Sequence, residues 1–130
     1  MVRVRCQYYF QESIHGLLAW DVRQLIELSS HFPVKSIELS NVAELQENRW
    51  YGHGDVQPTC LSMMKHFQLI QSCDLSFPII LNQSGRVMDG MHRVCKAWMA
   101  GHDDILAVQF TSDPKPNFVG CLPDDLPYDD

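Results

Sequence analysis

The clearest pattern of apolar and polar positions lies between Phe77 and Phe110. Pro78-Ile-Ile-Leu81 is a short apolar run, Asn82-Gln-Ser-Gly85 is a turn cluster, and Arg86-Val-Met88 is a second run. Together they predict a β-hairpin. Asp89-Gly90 breaks the return strand. From Met91 the apolar residues recur at Met91, Val94, Cys95, Trp98 and Met99, the spacing of one helical face. His92, Arg93 and Lys96 fall on the other side of that helix, and Gly101 stands where a left-handed C-terminal cap belongs. Ile105 to Phe110 closes the stretch as a further strand.

Upstream the pattern is weaker. Val2, Val4 and Cys6 alternate with Arg3, Arg5 and Gln7 and lead into Tyr8-Tyr-Phe10, which predicts a strand with one wet face. Gln11 to Gly16 is expected to be a plain connector. Asp21 with Gln24 has the form of a capping box, Val22, Leu25, Ile26 and Ser29 share a face, and Phe32-Pro33 ends the helix. This helix is expected to cover a sheet face or a partner. Val34 to Leu39 reads as a strand and Ser40 to Leu45 as a short helical turn. Gln46 to Gln57 reads as a polar and aromatic loop with glycines on both sides of His53. A helix is expected from Pro58-Thr59 to about Ser72, with Pro58 in its first turn and Cys60, Met63, Met64, Phe67 and Ile70 buried. Thr111 to Asn117 reads as loop and Cys121 to Asp130 as an extended tail.

These elements describe one α+β domain, a small mixed sheet with packed helices. Residues 1–33 form an N-terminal strand and helix extension, 34–110 the core and 111–130 an acidic tail. A hydrophobic content of 45% with 20% charged residues is ordinary globular composition. No apolar run is long enough to span a membrane and the N-terminus lacks a signal-peptide core, so a cytoplasmic protein without membrane contact is expected. Cys6, Cys60, Cys73, Cys95 and Cys121 are odd in number and form no C-x-x-C pair, which fits reduced thiols. Cys60 near a helix N-terminus is a candidate reactive thiol, though no base partner is evident. A formal charge of −6 with only ten Lys and Arg speaks against duplex DNA as a partner.

Charge leaves room for one local cationic site. A strand, a glycine turn and a helix that opens with His92 and Arg93 can hold an anion through free backbone N–H groups, the helix dipole and a guanidinium. The plainer alternative is a simple turn before a helix with a solubilising polar face. His53-Gly-Asp55 with His66 contains metal-ligand types but matches no closed zinc spacing. Asp89 and Asp55 are the carboxylates that Mg2+ arriving with phosphates would use. Trp50 and Tyr51 are candidates for stacking on a base, or equally for anchoring the loop.

The motif Asp89-Gly-Met-His-Arg93 follows a Pro-Ile hairpin and precedes Lys96-Ala97 and Gly101. It resembles the signature of the ParB/sulfiredoxin superfamily, and in particular small stand-alone bacterial ParB-like proteins. The likeness extends over most of the chain, including Leu25-Ile-Glu-Leu28, Ala107-Val-Gln-Phe110 and Asp124 to Asp130. The resemblance implies binding of ATP, ADP or CTP, with phosphates against the helix after the motif. Asp89, Gly90, Met91, His92, Arg93 and Lys96 would line the phosphate side, with Asn48, Arg49 and Thr59 as further contacts.

The Asp-Gly-X-His-Arg form is most similar to the free-serine kinase branch. That branch would give Glu47, with Glu44 in reserve, the task of preparing an acceptor hydroxyl, and would place His92 at the reacting group; a solvated Glu47 is the equal alternative. Met91 stands where sulfiredoxins carry their nucleophilic cysteine, and a thioether cannot serve as that thiolate. Partitioning members continue into a helix-turn-helix domain, whereas this sequence runs about twenty residues past its last expected strand. Three readings stay open: a small-molecule kinase or nucleotidase with a small-molecule acceptor, a nucleotide-dependent switch, and a module that binds a protein partner or a second copy.

Overall fold

Ile79, Ile80 and Leu81 are apolar in succession because the strand they form is covered on both faces. A computed structural model of the chain describes residues 6–51 and 57–128. The alternating residues Val2 to Arg5 and the His53-Gly-Asp55 group lie outside the described residues. In order, the elements are β1 (Tyr8–Gln11), β2 (Leu18–Asp21), α1 (Val22–Ser29), β3 (Lys35–Glu38), α2 (Cys60–Ser72), β4 (Ile79–Leu81), β5 (Val87–Asp89), α3 (Met91–Met99), β6 (Asp104–Gln109) and β7 (Phe118–Val119). Short 3-10 turns occupy Leu39–Asn41, Ala43–Gln46 and Pro123–Asp125. The class is α+β, with two sheets and three α-helices among the described residues.

The larger sheet has the order β3-β6-β4-β5 and is mixed: β6 runs antiparallel to β3 and parallel to β4, and β5 returns antiparallel to β4. Side chains alternate between its faces with period two. Ile79, Leu81, Val87, Ile105 and Ala107 meet Met91, Val94 and Ala97 of α3. Ile80, Met88, Val108 and Phe110 point the other way, to Tyr9, Trp20, Val22 and Leu25. The second layer is the three-stranded antiparallel sheet β1-β2-β7 together with α1. Thus α1 covers a sheet face, as its apolar side suggests.

Several local expectations hold. Asp21 caps α1 by accepting from Arg23 N at 3.0 Å. Gly101 is left-handed at φ 79°, with Gly101 N bonded to Trp98 O and His102 N to Ala97 O, the two bonds of a Schellman motif. Others are corrected. The N–H of Asp21 donates to Asn117 Oδ1 at 2.8 Å, not to a Gln24 side chain. The segment after Phe10 is a hairpin, closed by paired Ser13 and Gly16 bonds and continued by β2, which four residues running straight into a helix did not reveal. The C-terminal segment is not a loose tail. β7 pairs with β2, Leu126 is buried, and the carbonyl of Pro127 accepts from Tyr8 Oη and Cys6 Sγ.

The two helical faces also differ from expectation. In α3 the buried residues are Met91, Val94 and Ala97, with Cys95 half-buried, while Trp98 and Met99 are 62% and 58% exposed. The buried positions Met91, Val94 and Ala97 step by three, so Trp98 and Met99 fall one and two residues past the stripe that meets Ile105 and Ala107 of β6. In α2 no residue is buried: Cys60, Met63, Met64 and Phe67 face outward, and Ser62, His66, Leu69 and Ile70 form the inward stripe. Pro58 precedes this helix, and Thr59 is its N-cap, accepting from Ser62 N at 3.1 Å.

Glu44 holds the outer edge of the sheet. It is 3% exposed and accepts from Val87 N at 2.5 Å, with Arg86 Nε 3.5 Å away. β5 is an edge strand, so this carboxylate satisfies an N–H that would otherwise lack a ladder partner. Glu44→Ala strands that buried donor and is expected to cost about 1–3 kcal/mol, measured as a drop in urea midpoint at unchanged slope.

Candidate functional site

The turn from β5 to α3 is built around Gly90, which has φ 109° and serves as the N-cap of α3. Only glycine fits. A Cβ there would lie 2.5 Å from Ile79 Cγ2 and 2.9 Å from Arg93 Nη2. Arg93 locks this turn to the hairpin. Its Nη1 donates to the carbonyls of Phe77 and Pro78 at 3.0 Å each, and its Nη2 donates to Asp89 Oδ2 at 2.9 Å. Both side chains of that pair are largely buried, at 14% and 12% exposure.

The next residue around the head of α3 is His92. Its Nε2 lies 2.8 Å from Nδ1 of His66, on the inward stripe of α2. Trp50 stacks over both rings, with centroids 4.3 Å from His66 and 4.8 Å from His92. Tyr51 meets His66 edge-on, and its hydroxyl shares a 3.0 Å hydrogen bond with Ser62 Oγ. The loop that leaves the second 3-10 turn is therefore anchored to α2 and α3 through aromatic rings. Arg49 lies beside it with its guanidinium 5.3 Å over the ring of Tyr9. Burial pulls the pKa of Arg49 below its ordinary value, and the charges of Tyr9 and Glu44 partly restore it.

Arg49, Trp50, His66, Asp89, Gly90, Met91, His92 and Arg93 line one cleft of about 1150 Å³. Tyr9, Val22, Phe32, Ile80 and Met88 wall its apolar end. Sites for small molecules commonly measure roughly 300–1,000 Å³, so the space suffices for a nucleotide-sized ligand. Six residues expected to bind the nucleotide thus share this wall, Arg49, Asp89, Gly90, Met91, His92 and Arg93, together with Trp50, a stacking candidate, and His66, a possible metal ligand.

Glu47, Asn48, Thr59 and Lys96 are not among the lining residues. Glu47 makes a bidentate pair with Arg86, at 2.9 and 2.5 Å, and that hydrogen bonding holds its carboxyl below the usual range and raises Arg86. Asn48 Oδ1 accepts from Tyr51 N, and Thr59 caps α2. Lys96 Nζ donates to the carbonyls of Gln71 and Cys73, tying α3 to the end of α2. Among the described residues no three His, Cys, Asp or Glu side chains are grouped to hold a metal ion. Burial raises the thiols of Cys73 and Cys95.

The residue that sequence reading underrated is His66, weighed only as a metal ligand. A signal exists: Ser62, His66, Leu69 and Ile70 recur at helical spacing, a stripe of mixed polarity beside the more apolar one. The chain matches no protein-family model, no curated protein and no solved structure.

Proposed function

We propose that this chain is a nucleotide-binding module with a ParB/sulfiredoxin-like core, taking ATP, ADP or CTP in the cleft with phosphates at the head of α3. The observation that carries this reading is the convergence of the Gly90 turn, His92 and Arg49 on one cleft wall. Phosphate oxygens would accept from first-turn N–H groups at the positive end of the helix. Arg49 would supply a planar set of donors, and a guanidinium suits bidentate phosphate contact better than an ammonium. Arg93, with its three bonds to hairpin groups and Asp89, would shape the site more than touch the ligand. Mg2+ would come with the phosphates, since that ion retains water and uses few protein ligands.

Binding without turnover is favoured over a kinase or nucleotidase. Glu47 is engaged by Arg86 and does not line the cleft. A cytoplasmic setting belongs to the same proposal, as does the absence of duplex-DNA binding. The test is a thermal-shift series with ATP, ADP and CTP, with and without Mg2+. A nucleotide present at a hundredfold its Kd stabilises the fold by about 2.7 kcal/mol and should raise Tm by several degrees. No shift with any of the three overturns the reading in favour of a protein-interaction module. Phosphate release from bound ATP on addition of small alcohols or amino acids would restore the kinase reading.

A further inference from the structure

His66 and His92 belong to different helices, yet their rings are joined by one hydrogen bond of ordinary length, 2.8 Å between Nδ1 and Nε2. Trp50 covers both rings, which are themselves inclined by only 23°. Two imidazoles cannot keep such a bond in every protonation state. One nitrogen must carry the hydrogen and the other must offer a lone pair. The neutral pair satisfies this, and so does a pair holding one extra proton. A second extra proton turns both nitrogens into donors on two cationic rings, and the bond breaks.

We propose that His66 is a positioning residue for His92, and that the two rings share protons as one unit, so that anion binding at the head of α3 takes up a proton. This inference rests on the anion-binding reading above. Charged groups around the pair set the sign. Arg49 and Arg93, on the same cleft wall, oppose an extra proton, while Asp89 favours it but is paired with Arg93. On the helices, Lys96 is drawn to the carbonyls at the end of α2 and Lys65 is solvent-exposed, and both also oppose the proton. Burial raises the Cys73 thiol, which adds no charge beside the pair. Asp124, which lines the same cleft, favours the proton as well. A bound phosphate adds negative charge beside the pair and favours the extra proton. Affinity therefore rises as pH falls through the first protonation of the pair, by about tenfold per pH unit where one full proton is taken up.

The test uses histidine side-chain nitrogen NMR on the whole chain, with sulfate and ATP as probes; sulfate has no titration of its own near neutrality. In the ligand-free protein the two rings should titrate together, and both probes should move that transition to higher pH. His66→Phe keeps a ring under Trp50 without a nitrogen. It should remove the acid-side gain in ATP affinity, about tenfold at one pH unit below the transition. The titration of ATP itself is common to wild type and variant and cancels in the comparison. His66→Gln, which keeps an amide able to donate or accept, should retain more of the affinity but lose the shared titration, and it carries the test if the Phe variant does not fold. Independent titration of the rings overturns the proposal, as does a coupled transition that neither probe displaces, or pH dependence that survives in both variants. Failure of wild type to bind either probe removes the anion-binding reading and the linkage together; the ligand-free titration separates that failure from failure of the pair.

Discussion

Arg93→Ala is expected to destabilise the fold by about 3–5 kcal/mol, the range for removing one partner of a buried ion pair. The substitution leaves the Asp89 carboxylate, 12% exposed, without its cation. It also leaves the carbonyls of Phe77 and Pro78 without the donor that bridges them to α3. For a domain of 130 residues this corresponds to a fall in Tm of about 10 °C or more. Arg93→Lys should recover little, because a single ammonium cannot make the three contacts in their fixed fork. The measurement is thermal and urea unfolding of the ligand-free chain. An unchanged midpoint would mean that Arg93 does not hold the turn, and would return it to the role of a phosphate ligand.

Gly90→Ala should be comparably severe. The backbone at φ 109° lies outside the range that a β-carbon tolerates, at a cost of roughly 1–3 kcal/mol. The added carbon would also sit 2.5 Å from Ile79 Cγ2 and 2.9 Å from Ile79 Cβ. Ile79 is fully buried in a central strand and cannot retreat without disturbing β6. Overpacking of this kind adds about 1–3 kcal/mol, so a total of about 2–6 kcal/mol is expected. Gly101→Ala is the internal control. It is also left-handed, at φ 79°, but a Cβ there has nothing within 4 Å, so only the backbone term of about 1–2 kcal/mol should remain. Equal losses at the two glycines would show that crowding against Ile79 contributes nothing. Since Gly90 and Arg93 variants both disturb the cleft wall, ligand contacts are better read from Arg49.

The hairpin, the Gly90 turn, α3 and its cap at Gly101 are legible in the sequence because each is encoded within a few neighbouring residues. Turn residues stand at fixed offsets and the apolar period switches from strand to helix. The α+β class follows from that succession. Four of the candidates that resemblance added to the site, Glu47, Asn48, Thr59 and Lys96, do not line the cleft, because each has a partner elsewhere in the fold. Their residue types suit a ligand and suit those partners equally well.

What the sequence by itself determined is therefore the order of the central elements and the glycine that must bend between β5 and α3. Only the tertiary structure decided which face of α2 turns inward. Hydrophobic periodicity points to Met63, Met64 and Phe67, yet Ser62 and His66 are the residues that meet the loop and α3. Their partners, Tyr51 and His92, stand 11 and 26 positions away, so no local pattern registers the pairing. The same holds for β7, two residues long, whose pairing with β2 joins Phe118 to Ala19. Contacts of this kind gain their favourable energy only after the chain has closed long loops, and polar side chains announce their burial only through the partners that satisfy them.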